Sequence, residues 1–402
     1  MEFVRKKYIN ILNDHINDQN IKVITGIRRI GKSTILNQFI NFLLNDLKIM
    51  NTQIQKYDFN NPFLVKKTYP KVYQEILKKA IKNETNYLFF DEIQEIKNFE
   101  RLIIGLYENK DFDFDIYITG SNSHMFSSEL VTLFTGRTFE LEIFPFSFIE
   151  VCEFLLNNNS HWKTNLEIYL KKGGLGAIVP FYENDVKIFN KLNDIFLCSI
   201  KKDIKEHHHV KFEDGLERIS KYIYSNIGKS FSATNIENFL RSNKEVIILK
   251  KTILNYLKWL EDSFLIKKIA FYDLKGKNIL RMKAKYYASD LGLLNHLNKN
   301  SNSIEGYKLE NLIFLNLLEQ GYEVYTAKDY QNNEIDFVCI KNFETVYIQV
   351  TTVLNNENFG RETAAFNKIK DGYSKIIICY ENNSTFELNG IKLFTFNEWL
   401  NK

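Results

Sequence analysis

Only four prolines, four cysteines and four methionines occur in the 402 residues of this chain. Cys152, Cys198, Cys339 and Cys379 lie far apart and form no C-x-x-C pair. That excludes a paired-cysteine metal or redox motif and fits reduced, mostly buried thiols, so a cytoplasmic protein is expected. No run of about 18 apolar residues is present, which argues against a membrane span. The first residues, MEFVRKKYINIL, lack the apolar core of an export signal. A membrane partner is therefore not expected. The formal net charge of +4 is too small to announce a nucleic-acid partner by itself. The scarcity of proline, beside abundant Asn, Lys and Ile, carries no function. What remains is 45% hydrophobic and 25% charged, the balance of a globular chain able to bury two or three domain cores.

One stretch organises the rest. Residues Gly26, Ile27, Arg28, Arg29, Ile30, Gly31, Lys32, Ser33 and Thr34 match G-x-x-x-x-G-K-[ST] in full. The apolar run Ile21 to Thr25 before it reads as a buried strand, and Ser33 to Leu44 after it as a helix. Glycines there let the backbone wrap a polyphosphate, with loop N–H groups and a helix N-terminus facing the charge. Lys32 is expected to reach the β- and γ-phosphates of ATP, and the Ser33 hydroxyl to hold Mg²⁺.

A second signal is Tyr87 to Asp91 (YLFFD), an apolar run ending in an acid, followed by Glu92. Asp91 is expected to hold Mg²⁺ through its water shell, and Glu92 to act as the base for an attacking water. Phe114 to Thr119 reads as a strand ending in Gly120, Ser121 and Asn122. Asn122, both donor and acceptor, either contacts the γ-phosphate or water, or closes an ordinary turn. Arg137 precedes a further strand, Thr138 to Ile143; it reaches a nucleotide of its own chain or a neighbour's, or is a surface arginine. Arg28 and Arg29 are candidates for the same role. A strand at Ile54 to Phe59 and helices at Met1 to Leu12, Tyr69 to Ile81 and Phe99 to Tyr107 complete an alternating pattern, which argues for a parallel α/β sheet.

The motifs GIRRIGKST, LFFDE, ITGSNS, LFTGR and FPFSFIE follow one another in that order. So do GGLGA (Gly173 to Ala177), KKDI (Lys201 to Ile204), KYYASDLGL, KLENLIFLNLL and EIDF. In this order they resemble the AAA-related ATPases of archaea and bacteria that carry a C-terminal domain of unknown function. One departure is Gly176, where that pattern has proline. The resemblance implies an AAA-like P-loop ATPase core over residues 1–145 and a helical lid over 146–210. His207, His208 and His209 within that lid read as a solvated helix end, since three consecutive residues converge poorly on one ion.

Residues 211–295 look like a winged helix-turn-helix. Helices are expected at Leu216 to Asn226, Thr234 to Leu240 (capped by Ser232) and Ile248 to Leu260. Wing strands are expected at Phe264 to Ile269 and Ile279 to Tyr287. Residues 211–290 hold 16 Lys and Arg against 9 Asp and Glu. Lys244, Lys250, Lys251 and Lys258 flank or lie on the third helix, and Lys275, Lys277 and Arg281 on the wing, a footprint for phosphate contacts with DNA. The same domain also serves elsewhere as a protein adaptor, and both readings stand.

Residues 300–402 resemble the restriction-endonuclease-like core: a helix at Ile304 to Gln320, three strands, a helix at Thr363 to Gly372 and a strand at Lys375 to Tyr380. Glu310, Asp336, Gln349 and Thr351 fall where that fold has its metal and catalytic residues. The usual Glu-x-Lys is here Gln349-Val350-Thr351, so the lysine is missing and one carboxylate is an amide. Nuclease activity is therefore not expected, unless Lys328 or Lys375 reaches in. The whole reads as a Mg²⁺-dependent ATPase coupling nucleotide state to DNA or to a protein partner, with a homo-oligomer left open. The rivals are a nucleotide-gated protein-interaction switch and an ATP-gated nuclease.

Overall fold

The computed structural model describes residues 3–122, 136–155, 161–208, 210, 212–242, 248–274, 278–298, 305–328, 333–382 and 390–402, the side chains of 278–283 excepted. It divides into two compact units, Met1–Ile143 with Asp262–Phe264, and Phe144–Glu261 with Leu265–Lys402.

The first unit alternates strands and helices: α1 (Lys6–Asp14), β1 (Ile21–Thr25), α2 (Lys32–Asn45), β2 (Ile54–Asp58), α3 (Tyr69–Lys79), β3 (Thr85–Asp91), α4 (Phe99–Tyr107), β4 (Asp113–Thr119) and β5 (Thr138–Glu142). The strands form one sheet in the order β2-β3-β4-β1-β5, with every pairing parallel. All five residues of β1 are buried, as the continuous apolar run of a strand covered on both faces requires. α4 buries Phe99, Leu102, Ile103 and Leu106, a single helical stripe. These side chains join Val23, Leu88, Phe90, Ile116 and Ile118 in one core. Phe39 of α2 packs against Tyr117, whose ring stacks on Phe89 at 4.7 Å.

Parallel order fixes where function can sit. The carboxyl ends of β1, β3 and β4 lie on one edge, and the chain leaves β1 there to return at the far side of the sheet. Ligands of open α/β sheets bind at such an edge.

The second unit begins with α5 (Phe148–Leu155), α6 (Trp162–Lys172) and α7 (Asp185–Cys198), which runs into a π-helical turn at Ser199–Lys205. Then come α8 (Glu213–Ser225), β6 (Ser230–Phe231), α9 (Ala233–Ser242), α10 (Lys250–Asp262), β7 (Ile266–Asp273) and β8 (Asn278–Ala288). Ser232 and Asn235 bond reciprocally at the start of α9, with Ser232 N donating to Asn235 Oδ1 at 2.8 Å. After α11 (Leu291–Leu297) follow α12 (Gly306–Glu319), β9 (Glu323–Lys328), β10 (Glu334–Lys341), β11 (Glu344–Leu354), α13 (Phe359–Thr363), β12 (Ser374–Asn382), β13 (Ile391–Thr395) and α14 (Phe396–Leu400).

Two differences from the sequence reading stand out. The segments 211–295 and 300–402, expected as separate domains, share one eight-stranded mixed sheet in the order β13-β12-β11-β10-β9-β7-β8-β6. The join is parallel pairing of β7 with β9, Phe271 opposite Thr326 and Tyr272 opposite Ala327. The helix expected at Thr363 to Gly372 is instead the short α13, ending at Thr363, and a 3₁₀ turn at Phe366–Lys368. Lys375 donates 2.8 Å bonds to the carbonyls of Phe366 and Ile369 and fixes that turn in place of a continuing helix.

The Gly-Gly pair of GGLGA also has a local cause. A Cβ on Gly174 would collide with the carbonyl of Phe146, which accepts a 2.7 Å bond from the Tyr169 hydroxyl. The Gly174 amide donates at 2.8 Å to the buried carboxylate of Asp290, which also caps α11 through Leu293 N at 3.0 Å.

Candidate active site

The phosphate loop leaves β1 at Gly26, whose φ of 140° is outside the range of ordinary side-chain-bearing residues. A Cβ at that position would lie 2.7 Å from the carbonyl oxygen of Ile143. Gly26→Ala is accordingly expected to cost about 1–3 kcal/mol in backbone strain alone and to distort the loop. Nucleotide titration beside a thermal unfolding curve checks this, and unchanged affinity and midpoint would refute it. Gly31, left-handed with φ 113°, precedes the first helical residue, Lys32. The opening amides of α2 have no acceptor within the helix and point toward the loop.

Lys32 is buried, and its ammonium donates to Gly26 O at 3.1 Å and lies 3.6 Å from Glu92 Oε1. Asp91 ends β3, and its carboxylate accepts a 2.6 Å bond from the Thr119 hydroxyl at the end of β4. The Thr119 oxygen in turn accepts from the Glu92 amide at 2.9 Å. One threonine thus ties two strand ends and both acids together. Glu92 itself has φ 51°, an uncommon conformation for a side-chain-bearing residue and a form of strain that clusters at functional sites.

Burial alone would raise the Glu92 carboxyl, but the Lys32 charge, a bond from Gln94, the Arg28 charge and a bond to Ser121 together hold it below the usual glutamate value. It is therefore an anion at neutral pH, the form a base requires. Arg28 Nη2 donates to Ser121 Oγ at 3.4 Å, which brings an arginine of the loop to the end of β4. Ser121 and Asn122 are both buried. Ser33 is half-buried and Thr34 exposed at the start of α2. Hydroxyl and carboxylate oxygens such as those of Ser33 and Asp91 suit a hard divalent cation.

Arg137 lies elsewhere. Its carbonyl accepts from Ile21 N at 2.8 Å, so it sits beside the amino end of β1. About 13 Å of strand, at about 3.3 Å per residue, separates that end from the loop. Its guanidinium is half exposed, 3.8 Å from Glu108 and over the Tyr107 ring. The parallel pairing of β5 with β1 forces this placement. Within the first unit Arg137 therefore does not join Lys32, Asp91 and Glu92.

In the second unit the residues expected for a nuclease-like site are drawn into ion pairs and hydrogen bonds. Asp336 is buried and accepts from Val350 N at 2.8 Å, while its own amide donates to Gln349 Oε1 at 3.3 Å. Gln349 Nε2 donates to Glu362, and Thr351 Oγ1 donates to Val353 O. Lys375 is held by the carbonyls of Phe366 and Ile369 at the 3₁₀ turn after α13, and Lys328 pairs with Glu334 at 3.0 Å. The cation that enters is Lys285 from β8, buried, 2.9 Å from Glu310 and also paired with Glu334. Its burial works against the charge, but Glu310, Asp336 and Glu334 outweigh that and push its pKa up. Tyr287, two residues on and on the same face, donates to Glu310 at 2.5 Å. Alternation along β8 was a visible signal for this pair; what was not visible is that β8 would lie against α12. Among the described residues no three His, Cys, Asp or Glu side chains are placed to hold a metal ion. His208 stacks on Trp259 at 4.5 Å, and His209 lies outside the described residues.

Residues 18–152 match the AAA-domain family, and residues 163–304 match a family described as a domain of unknown function. An uncharacterized protein of Haemophilus influenzae is 32% identical over 407 aligned residues, covering 98% of each chain. One of Methanocaldococcus jannaschii is 31% identical over 370 residues, covering 87% of this chain and 79% of its own. Among solved structures, the Walker-type ATPase of Pyrococcus abyssi is similar with a TM-score of 0.49 and 15% identity, over 74% of this chain and 96% of that one.

Proposed function

Because the chain belongs to the AAA-like family of P-loop ATPases, we propose that it binds ATP with Mg²⁺ and hydrolyses it, and that the cycle governs engagement of DNA. The observation that carries this reading is the convergence of Lys32, Asp91, Glu92 and Ser121 on one sheet edge, with Lys32 3.6 Å from Glu92 and Thr119 bridging both acids.

In this reading the loop amides and Lys32 bind the β- and γ-phosphates. Ser33 and Asp91 would hold Mg²⁺, which when bound neutralises charge on the phosphate oxygens. Glu92, kept ionised by Lys32, accepts the proton of the attacking water. Arg28, in the loop itself, acts on the Glu92 carboxyl through its charge and would meet charge developing on the γ-phosphate; Asn122 orients the water. Phosphate release from Mg·ATP by the purified chain is the test. Neither turnover nor measurable affinity would end the proposal.

The DNA element rests on α10. Lys250, Lys251, Leu254, Asn255 and Lys258 are exposed on it, while Ile253, Tyr256, Leu257 and Leu260 are buried. The order helix, strand, helix, helix, strand, strand from α8 to β8, with β6 and β7 both antiparallel to β8, supports a winged-helix reading. Lys244, Lys275 and Lys277 lie outside the described residues, as does the side chain of Arg281. Replacing Lys250, Lys251 and Lys258 by Glu is expected to weaken duplex binding at least tenfold and to flatten its salt dependence by about 0.9 per lost contact. The same duplexes, incubated with Mg²⁺ or Mn²⁺, are expected to stay uncut. Undiminished binding by the triple variant would leave the protein-adaptor reading of this face standing.

A further inference from the structure

The turn that follows Glu92 contains a side chain the mechanism above does not use. Gln94 sits in the 3₁₀ turn Ile93–Glu95, and the left-handed backbone of Glu92 brings the two side chains face to face. The Gln94 amide nitrogen donates to Glu92 Oε2 and reaches Ser121 Oγ at 3.4 Å. Ser121 accepts from Arg28 of the phosphate loop at the same distance. The amide thus links the base, the end of β4 and the loop.

Its other atom is left over. Gln94 Oε1 is buried and has no hydrogen-bond partner among the described residues. A buried amide oxygen without a donor costs free energy, and such exceptions call for an explanation. Rotating the amide would not relieve it, because Oε1 would then face the Glu92 carboxylate, acceptor against acceptor. The orientation is therefore set by the two bonds through nitrogen. Two unfavourable features, a left-handed Glu92 and an orphaned Gln94 oxygen, adjoin in one turn and serve one carboxylate.

We propose that Gln94 is a positioning residue of the hydrolytic site: its amide clamps the Glu92 carboxylate and couples it, through Ser121, to Arg28 of the phosphate loop. The inference rests on the ATPase reading, with Glu92 as base. Binding of the polyphosphate is the work of the loop and Lys32, so the clamp acts on turnover and leaves affinity alone.

The experiment compares wild type, Gln94→Ala and the near-isosteric Gln94→Met, each alone and combined with Glu92→Gln. Gln94→Ala and Gln94→Met are expected to lower kcat about 10- to 100-fold and to change Mg·ATP affinity less than threefold. On the Glu92→Gln background they are expected to add nothing, since the clamped carboxylate is already gone. Thermal unfolding of the same proteins separates a fold defect, for which Gln94→Met is the milder variant. Unchanged kcat in both variants, lost nucleotide affinity, or a further fall on the Glu92→Gln background would overturn the inference. An inactive wild type would instead strike at the ATPase reading beneath it.

Discussion

Lys32→Ala is expected to abolish measurable nucleotide binding, with a fall in affinity of at least about 100-fold, or about 2.8 kcal/mol. Lys32 is buried to 4% exposure at the start of α2, and its ammonium is held by the Gly26 carbonyl, 3.1 Å away. That position is pre-organised, so little side-chain freedom remains to be lost when the ammonium turns to a polyphosphate. A bond between charged groups in so dry a place is worth more than the same bond at the surface. The substitution has a second effect. Glu92 loses the charge that does most to lower its carboxyl, so burial pushes it upward and a buried acid is left without its cation. Lys32→Ala should therefore bind no nucleotide and also unfold at lower temperature in neutral buffer. Calorimetric titration with Mg·ATP and a melting curve give both numbers. Affinity within threefold of wild type would show that the loop does not hold phosphate.

Glu92→Gln separates binding from chemistry. Gln is nearly the same size and keeps an acceptor, so the loop, Lys32 and Asp91 are left in place. Affinity should stay within a few-fold, while turnover falls by about 10²–10⁴, the usual contribution of a positioned base. The pH behaviour follows from the direction of the shift. Glu92 is held below the ordinary glutamate value, so wild type retains its base as pH drops through the normal carboxylate range. A depressed carboxyl also lends stability above its unfolded pKa, which disappears as pH falls through the folded one. The variant should lack that acid-side loss. Single-turnover phosphate release at several pH values is the measurement, and turnover at the wild-type rate would remove Glu92 from the mechanism.

The phosphate loop and the Asp91-Glu92 pair were legible because each is a local pattern with its strand or helix beside it. Nothing about them depends on distant chain. Arg137 was not legible in the same way. Whether it lies at the loop's end of the sheet or at the opposite end depends on β5 running parallel to β1, with Thr138 opposite Ile21. Lys285 is a sharper case. A lysine in a strand usually reads as solvent-facing, and its burial follows only from α12 covering β8 with Glu310. The helix expected at Thr363 to Gly372 failed because Lys375, beyond it in sequence, satisfies the carbonyls of a tighter turn. At the other extreme, α14 was readable and was missed. Thr395 and Glu398 form a reciprocal cap at its start, the spacing that announces a helix in sequence.

The parallel seam between β7 and β9 bears on how this protein can be taken apart. A chain ended near residue 298 would keep β7 and β8 but leave β7 with a naked edge, an invitation to pair with another copy. One begun near residue 305 would leave Glu310 and Glu334 without Lys285, two acids crowded beside a buried Asp336. Neither half is a ready-made piece. The segments that look like two modules in the sequence would melt together, resist separation by limited proteolysis, and be exchanged between relatives only as a pair.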